Sequence, residues 1–263
     1  MRSLLQPATV HQLWRSRWPS LGALEIGLRR ALHVREERLS TRPDACRLLY
    51  VSDIHLRNRR SDVLCRQVLH AVTGCDPDMV LLGGDLVDCS SELSRLSDLV
   101  VKLRQIAPVL AIGGNHDQRI GLDRVRQAVE RAGGHWIHDR SAHVKYGNRV
   151  IAVSGPDAVA VNASGPGAAP PVNADVRVLC GHNPRIWKTV RHAGYDLVLA
   201  GHLHGCQIVA CEYLGRLFPG ALLYPYCFSS HYRGSTRLVV SRGVSDLLPV
   251  RWRCPREVVL CYV

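Results

Sequence analysis

Three short apolar runs, at 48–52, 79–82 and 109–112, recur at similar intervals in the first half of the chain. An interval of roughly thirty residues is what one strand–helix–strand unit occupies, so the repetition constrains this half to alternate strand with helix. The intervening helices are read over 61–74, where Leu64, Val68, Leu69 and Val72 share a face, over 92–105 and over 122–132. Gly74 and the Gly133-Gly134 pair supply two of their stops. The second half changes character. A hairpin is expected from 142–146 and 149–154 around Gly147-Asn148, then a mobile Gly/Ala/Pro/Asn-rich loop over 158–172. Strands follow at 176–180, 195–200, 207–210, 236–240 and 257–262, with a short helix over 186–192. This order suggests two sheets packed face to face with helices outside.

The apolar runs end in residues that bind cations. Asp53 and His55 follow the first, Asp85 the second, and Asn115, His116 and Asp117 the third. His182 follows 176–180, and His202 and His204 lie in the Gly-flanked turn after 195–200. Ligands of open α/β sheets gather at the C-terminal ends of strands, so these side chains are positioned to converge. Carboxylate, imidazole and amide oxygen together suit Mn²⁺, Fe²⁺ or Zn²⁺. Seven such ligands from among these side chains exceed what one tetrahedral site uses, and two ions sharing a carboxylate account for the surplus. Asp117 also reads as a structural cap. Asp53 and Asp85 could each be turn caps, and His55 and His204 surface imidazoles. Five strand ends with one chemistry argue against those plainer readings together.

Composition narrows the partner. A chain of 263 residues with 46% hydrophobic residues is globular, one large domain or one domain with an appendage. Its formal net charge of +12 attracts an anionic partner: nucleic acid, acidic lipid or phosphorylated substrate. No basic groove interleaved with aromatics and no nucleic-acid module is found, which disfavours nucleic acid. The ten cysteines include no CxxC pair, and read as buried free thiols in a reducing compartment. No run approaches the ~20 apolar residues of a membrane span, and no secretory signal is evident. A cytoplasmic protein is expected. Residues 1–46 are set apart as a basic arm from a domain over 47–263. The arm carries Trp14, Trp18 and eight Arg against Glu25, Glu36, Glu37 and Asp44. An amphipathic helix over 21–32, with Arg29 and Arg30 on its wet side, would suit peripheral contact with an anionic membrane surface. The alternative is an arm packed on the domain.

The blocks Asp53-x-His55, Gly84-Asp85-x-x-Asp88, Gly114-Asn115-His116-Asp117, Gly181-His182 and Gly201-His202-x-His204 stand in a specific order. In that order and form the chain resembles the calcineurin-like metallophosphoesterases over 53–204. One block alone would be weak; all five in sequence are specific. The resemblance implies an α/β fold, a four-layer α/β/β/α sandwich of two mixed sheets with flanking helices. It implies two divalent metal ions, Mn, Fe or Zn. The first would be held by Asp53, His55, Asp85 and His204, the second by Asp85, Asn115, His182 and His202, with Asp85 bridging. It also implies that a hydroxide activated by the metal pair attacks phosphorus in line. His116, beside Asn115 and outside that ligand set, would protonate the leaving oxygen, with Asp88 orienting it.

Gly201-His202-Leu203-His204-Gly205-Cys206-Gln207, Tyr232-Arg233-Gly234 and Val240-Ser241-Arg242-Gly243 are similar to a bacterial phosphodiesterase branch that reads GHTHGGQ, with Cys206 in place of a Gly. The implied activity is hydrolysis of a phosphodiester or pyrophosphate in a phosphorylated small molecule, with a lipid-linked one a candidate. Some relatives cleave UDP-2,3-diacylglucosamine in lipid A synthesis. Their commonest form reads GNRD where this chain has Gly114-Asn115-His116-Asp117, while a GNHD-bearing type stays open. A nuclease and a non-catalytic scaffold are the competing readings; a scaffold would be marked by a missing ligand, and none is missing. Arg57 and Arg119, near motif ends, and His231, beside Tyr232, are candidate substrate contacts, though each Arg also reads as a solvated surface residue.

Overall fold

The computed structural model describes residues 24–28, 30–155, 173–246 and 248–263. The loop expected over 158–172, Trp14, Trp18 and Arg29 lie outside the described residues. In order the elements are β1 (Leu24–Ile26), β2 (His33–Arg38), β3 (Arg47–Val51), α1 (Ser61–Cys75), β4 (Met79–Gly83) and α2 (Leu93–Arg104). Next come β5 (Val109–Ile112), α3 (Asn115–Ile120), α4 (Leu122–Arg131), β6 (His135–Trp136) and the hairpin β7 (Ser141–Tyr146) and β8 (Arg149–Ser154). Then follow β9 (Val176–Cys180), α5 (Trp187–Val190), β10 (Leu197–Ala200), β11 (Val209–Tyr213), β12 (Arg216–Pro219) and α6 (Gly220–Leu223). The remainder is β13 (Ser230–Arg233), β14 (Thr236–Val240), β15 (Val250–Trp252) and β16 (Glu257–Tyr262).

Two six-stranded mixed sheets result, ordered β2-β16-β3-β4-β5-β6 and β13-β14-β10-β9-β8-β7. Side chains alternate between the faces of a strand, and here both faces are buried. Leu48 and Tyr50 of β3, Met79 and Leu81 of β4, and Leu110 and Ile112 of β5 meet Ile151, Val153, Val178, Cys180, Leu197 and Leu199 of the second sheet. Leu49, Val51, Val80, Leu82, Val109 and Ala111 point the other way, onto Leu64 and Val68 of α1, Leu96 and Val100 of α2, and Val125 and Val129 of α4. The outer face of the second sheet packs under Trp187 and Val190 of α5. The fold is therefore a four-layer α/β/β/α sandwich. The runs are continuous rather than alternating in sequence because both faces of each strand need apolar cover.

Tyr50 crosses between the sheets: its hydroxyl donates to the Gly181 carbonyl at 2.8 Å, and its ring lies where a Cβ on Gly83 would sit. A side chain at 83 would force the sheets apart beneath the strand ends.

Within the span 21–32 expected to be helical, the described residues 24–28 and 30–32 form no helix. Leu24–Ile26 is a strand whose residues pair with Trp252, Arg251 and Val250 of β15. Glu25 is buried there against Arg256 at 2.9 Å, an ion pair that a water-facing helix would not make. Residues 33–38, read as part of the arm, run parallel to β16 along the edge of the first sheet. All ten cysteines are free, five of them buried. Among the described residues no helix is long and apolar enough to cross a membrane.

Candidate metal centre

The loops after β3, β4, β5, β9 and β10 meet at one end of the sandwich. Backbone hydrogen bonds join the first two: Asp53 N–H donates to Gly84 O, and His55 N–H to Asp85 O, at 3.0 and 2.9 Å. The segment after β14 closes over them, with Val244 donating to Ser52 O and Ser245 to Asp53 O, both at 3.0 Å. Asp53, His55, Asp85, His202 and His204 all have left-handed backbone, with φ between 48° and 71°. Side-chain-bearing residues keep that conformation only where the surroundings over-determine it, and such positions cluster at functional sites. Two glycines admit the close approach: a Cβ on Gly201 would overlap the Asp53 carboxylate, and one on Gly114 the Asp85 carboxylate.

Three groups of donor atoms form, each with its atoms within 4.8 Å of one another: Asp53, His55 and His204; Asp85, His182 and His202; His55, Asp88 and His116. Asp85 Oδ2 lies 3.1 Å from His182 Nε2 and 3.7 Å from His55 Nε2, so it stands between the first two groups. Asn115 Oδ1 is 3.1 Å from His182 Nε2. All seven side chains expected to bind metal are thus brought together.

Hydrogen bonds on the far side of each ring orient these imidazoles. Nδ1 of His204 donates to Ser245 O at 2.9 Å, that of His182 to Gly83 O at 3.0 Å, and that of His55 to Asp88 Oδ1 at 2.7 Å. A neutral imidazole has one donor nitrogen, so each Nε2 presents a lone pair once its ring has given up the second proton. Nε2 of His55 and of His204 then face each other at 3.3 Å, acceptor against acceptor. Around His182 Nε2 stand Asp85 Oδ2, Asn115 Oδ1 and, at 3.3 Å, His202 Nδ1. Such convergence of lone pairs fits a cation at each of the two places, and the far-side hydrogen bonds are the usual second layer of a metal site.

Titration follows the same crowding. Burial opposes the charge of Asp53 and of Asp85, but for Asp53 the charges of His204, His182 and His55, and for Asp85 the His182 hydrogen bond, outweigh it; both are held below the usual range. Burial likewise opposes a proton on His182, yet the Asp85 hydrogen bond and the charges of Asp53 and Asp85 push it up to about 9. His204 goes the other way, down to about 4, because burial dominates. A divalent ion arriving at His182 would displace a proton from it.

Asp88 Oδ1 is shared by two rings, His55 at 2.7 Å and His116 Nδ1 at 2.9 Å. His116 is a quarter exposed, edge-on to His55 with ring centroids 4.5 Å apart. Arg57 reaches the same carboxylate, Nη1 to Oδ2 at 3.5 Å. Arg119 is exposed on α3. His231 belongs to none of the three donor groups; it stacks on Phe228 at 4.6 Å and meets Trp187 edge-on, beneath α5.

Asp117 is a structural cap. Fully buried, it accepts from the backbone N–H of Leu86, Val87 and Gly114 at 2.9 to 3.1 Å, tying the β4 loop to the start of α3. Asp117→Ala would orphan three buried donors and is expected to cost about 3–5 kcal/mol in urea unfolding, at ~1–3 kcal/mol for each unsatisfied group with partial relaxation. Asp117→Asn, which retains an acceptor oxygen, should lose less.

The positioning carbonyls of Ser245 and Gly83 were not readable in the sequence, because they act through backbone atoms that every residue has. The only signal near Ser245 was the Val240-Ser241-Arg242-Gly243 segment just before it.

The family model described as calcineurin-like phosphoesterase matches residues 46–206. The chain belongs to that family. As a calcineurin-like phosphoesterase it is a hydrolase of phosphoester bonds, and the family uses two divalent metal ions, for which the donor groups above are the candidate ligands. It is similar to phosphodiesterase YaeI of Escherichia coli, 27% identical over 81% of this chain and 80% of that one. The uncharacterized protein YpbG of Bacillus subtilis is 26% identical over 61% of this calcineurin-like phosphoesterase and 62% of its own length. Among solved structures, TT1561 of Thermus thermophilus overlaps 77% of this chain and 91% of that one, with a TM-score of 0.47 at 10% identity.

Proposed function

We propose that this calcineurin-like phosphoesterase is a two-metal phosphodiesterase or pyrophosphatase, and the observation that carries the reading is the convergence of imidazole nitrogens and carboxylate oxygens around Asp85. Asp53, His55, Asp85 and His204 would hold one ion, and Asp85, Asn115, His182 and His202 the other. When bound, the pair supplies Lewis acidity to the phosphoryl oxygens and a water made nucleophilic at neutral pH. The chain's own residues do the rest. His116, held at Nδ1 by Asp88, would act in its doubly protonated form, giving the Nε2 proton to the leaving oxygen and ending as the neutral ring. Arg57, over a third exposed at the rim of this group, is suited to a non-bridging phosphoryl oxygen. Arg119, exposed on α3, is a second candidate for the same task.

The likeness to phosphodiesterase YaeI supports a diester over a monoester. The net charge of +12 supports an anionic partner, a phosphorylated small molecule or a lipid-linked one such as UDP-2,3-diacylglucosamine, met in the cytoplasm or at an anionic membrane surface. Purified protein stripped of metal should be inactive on bis(p-nitrophenyl) phosphate and recover with Mn²⁺. Failure with Mn²⁺, Fe²⁺ and Zn²⁺ alike would overturn the reading. UDP-2,3-diacylglucosamine, cyclic dinucleotides, glycerophosphodiesters and plasmid DNA, assayed side by side, would then identify the substrate class.

A further inference from the structure

We infer that Cys206 and Cys227 form a modification site: a thiol pair that closes to a disulfide on meeting a hydroperoxide, and in closing loosens the metal loop. Their sulfurs are 3.2 Å apart, and among the described residues no other two cysteines are in sulfur contact. A disulfide bond is about 2.05 Å long, so closure needs a shift of little more than an ångström. Both sulfurs are packed against Gly220, where a Cβ would stand 2.5 Å from Cys206 Sγ and 3.0 Å from Cys227 Sγ. Gly220 therefore keeps the pair in register without a side chain between them.

The two cysteines differ in access and in what they are tied to. Cys227 is buried, and its backbone is held on both sides, donating to Tyr224 O at 2.9 Å and accepting from Leu217 at 3.0 Å. Cys206 is partly exposed and ends the turn His204–Cys206. The oxidant therefore meets Cys206 first. Its sulfur attacks one peroxide oxygen, the O–O bond breaks, and a sulfenic acid forms as water or alcohol leaves. The Cys227 sulfur then attacks the sulfenic sulfur; the S–S bond forms, the S–O bond breaks, and hydroxide leaves with the Cys227 proton as water. Two thiols lose two electrons and the hydroperoxide gains them.

Because Cys227 is anchored, Cys206 does the moving. Its N–H donates to Leu203 O at 2.7 Å, and that of Gln207 donates to His204 O at 3.1 Å, so a pull on Cys206 is transmitted to the turn carrying His202 and His204. Gln207 holds the other side of the turn, donating through Nε2 to Leu248 O and Val250 O at 2.6 and 2.9 Å. The turn thus has to distort rather than slide. Loss of a partner that orients a ligand costs about 10–100-fold in metal affinity, which sets the scale for distorting the turn that carries two of them.

The test uses the full chain, reduced or treated with stoichiometric hydrogen peroxide. Peptide mapping should find a dithiothreitol-reversible 206–227 link and two fewer free thiols, and titration of metal-stripped protein should give about tenfold weaker Mn²⁺ binding after oxidation. Cys227→Ser should bind Mn²⁺ equally with and without peroxide; Cys227→Ala serves if the serine variant fails to fold. A missing 206–227 link overturns the inference, as does a link that leaves Mn²⁺ affinity unchanged. Reduced wild-type protein that binds no Mn²⁺ would instead remove the metal reading itself, and this one with it.

Discussion

Asp85→Asn is expected to abolish turnover of bis(p-nitrophenyl) phosphate, by about a thousandfold or more, equivalent to ~4 kcal/mol of transition-state stabilisation. The reason is position. One Asp85 oxygen, Oδ2, lies between His182 Nε2 and His55 Nε2, while the other accepts from the His116 backbone at 2.8 Å. An amide there can keep one acceptor but brings an N–H, which would face an imidazole lone pair and repel a cation. It also removes the negative charge from the one place both ions would share. Metal content should fall with activity, read by elemental analysis of the purified variant. A variant that retains two equivalents of metal and near-normal turnover would show that Asp85 does not bridge.

His116→Ala should behave differently. His116 is outside the two groups proposed to hold metal, so metal content should stay at the wild-type level while kcat falls by about 10²–10⁴, the usual range for a lost general acid. The loss should shrink for esters with good leaving groups, since those leave without a proton. Comparing p-nitrophenyl with alkyl phosphodiesters measures this directly. An equal loss on both would point to a binding role. Asp88→Asn is less clean, because its Oδ1 also holds the metal-side His55, and both metal content and turnover should respond.

What could be read in the sequence follows from which atoms carry the information. The central strands were readable because each is buried on both faces and needs an unbroken apolar run, as at Met79–Gly83. β2 was not: its HVREER pairs along the sheet edge through backbone groups and leaves its side chains mostly outside, so nothing in their polarity marks a strand. β1 was misread as helix because Leu24, Ile26 and Leu28 fit both periods over so short a span, and Arg256, the partner that buries Glu25, lies 231 residues away. The six residues of α3 follow a glycine and are too few for a periodic signal. At the site the donor side chains were evident because carboxylates and imidazoles recur at five successive strand ends. The geometry that makes them acceptors was hidden, since it depends on which backbone carbonyl each Nδ1 meets.

Tyr50 links the two halves of the centre. Asp53 and Asp85 are borne by the first sheet, His182, His202 and His204 by the second, and the tyrosine hydroxyl bonded to Gly181 O sits beneath the seam between them. The donor atoms at the mouth therefore act as a gauge of the gap between the layers. Small dilations of the interior, by heat or by trimming an inward-facing leucine, should register as released metal well before the sandwich comes apart.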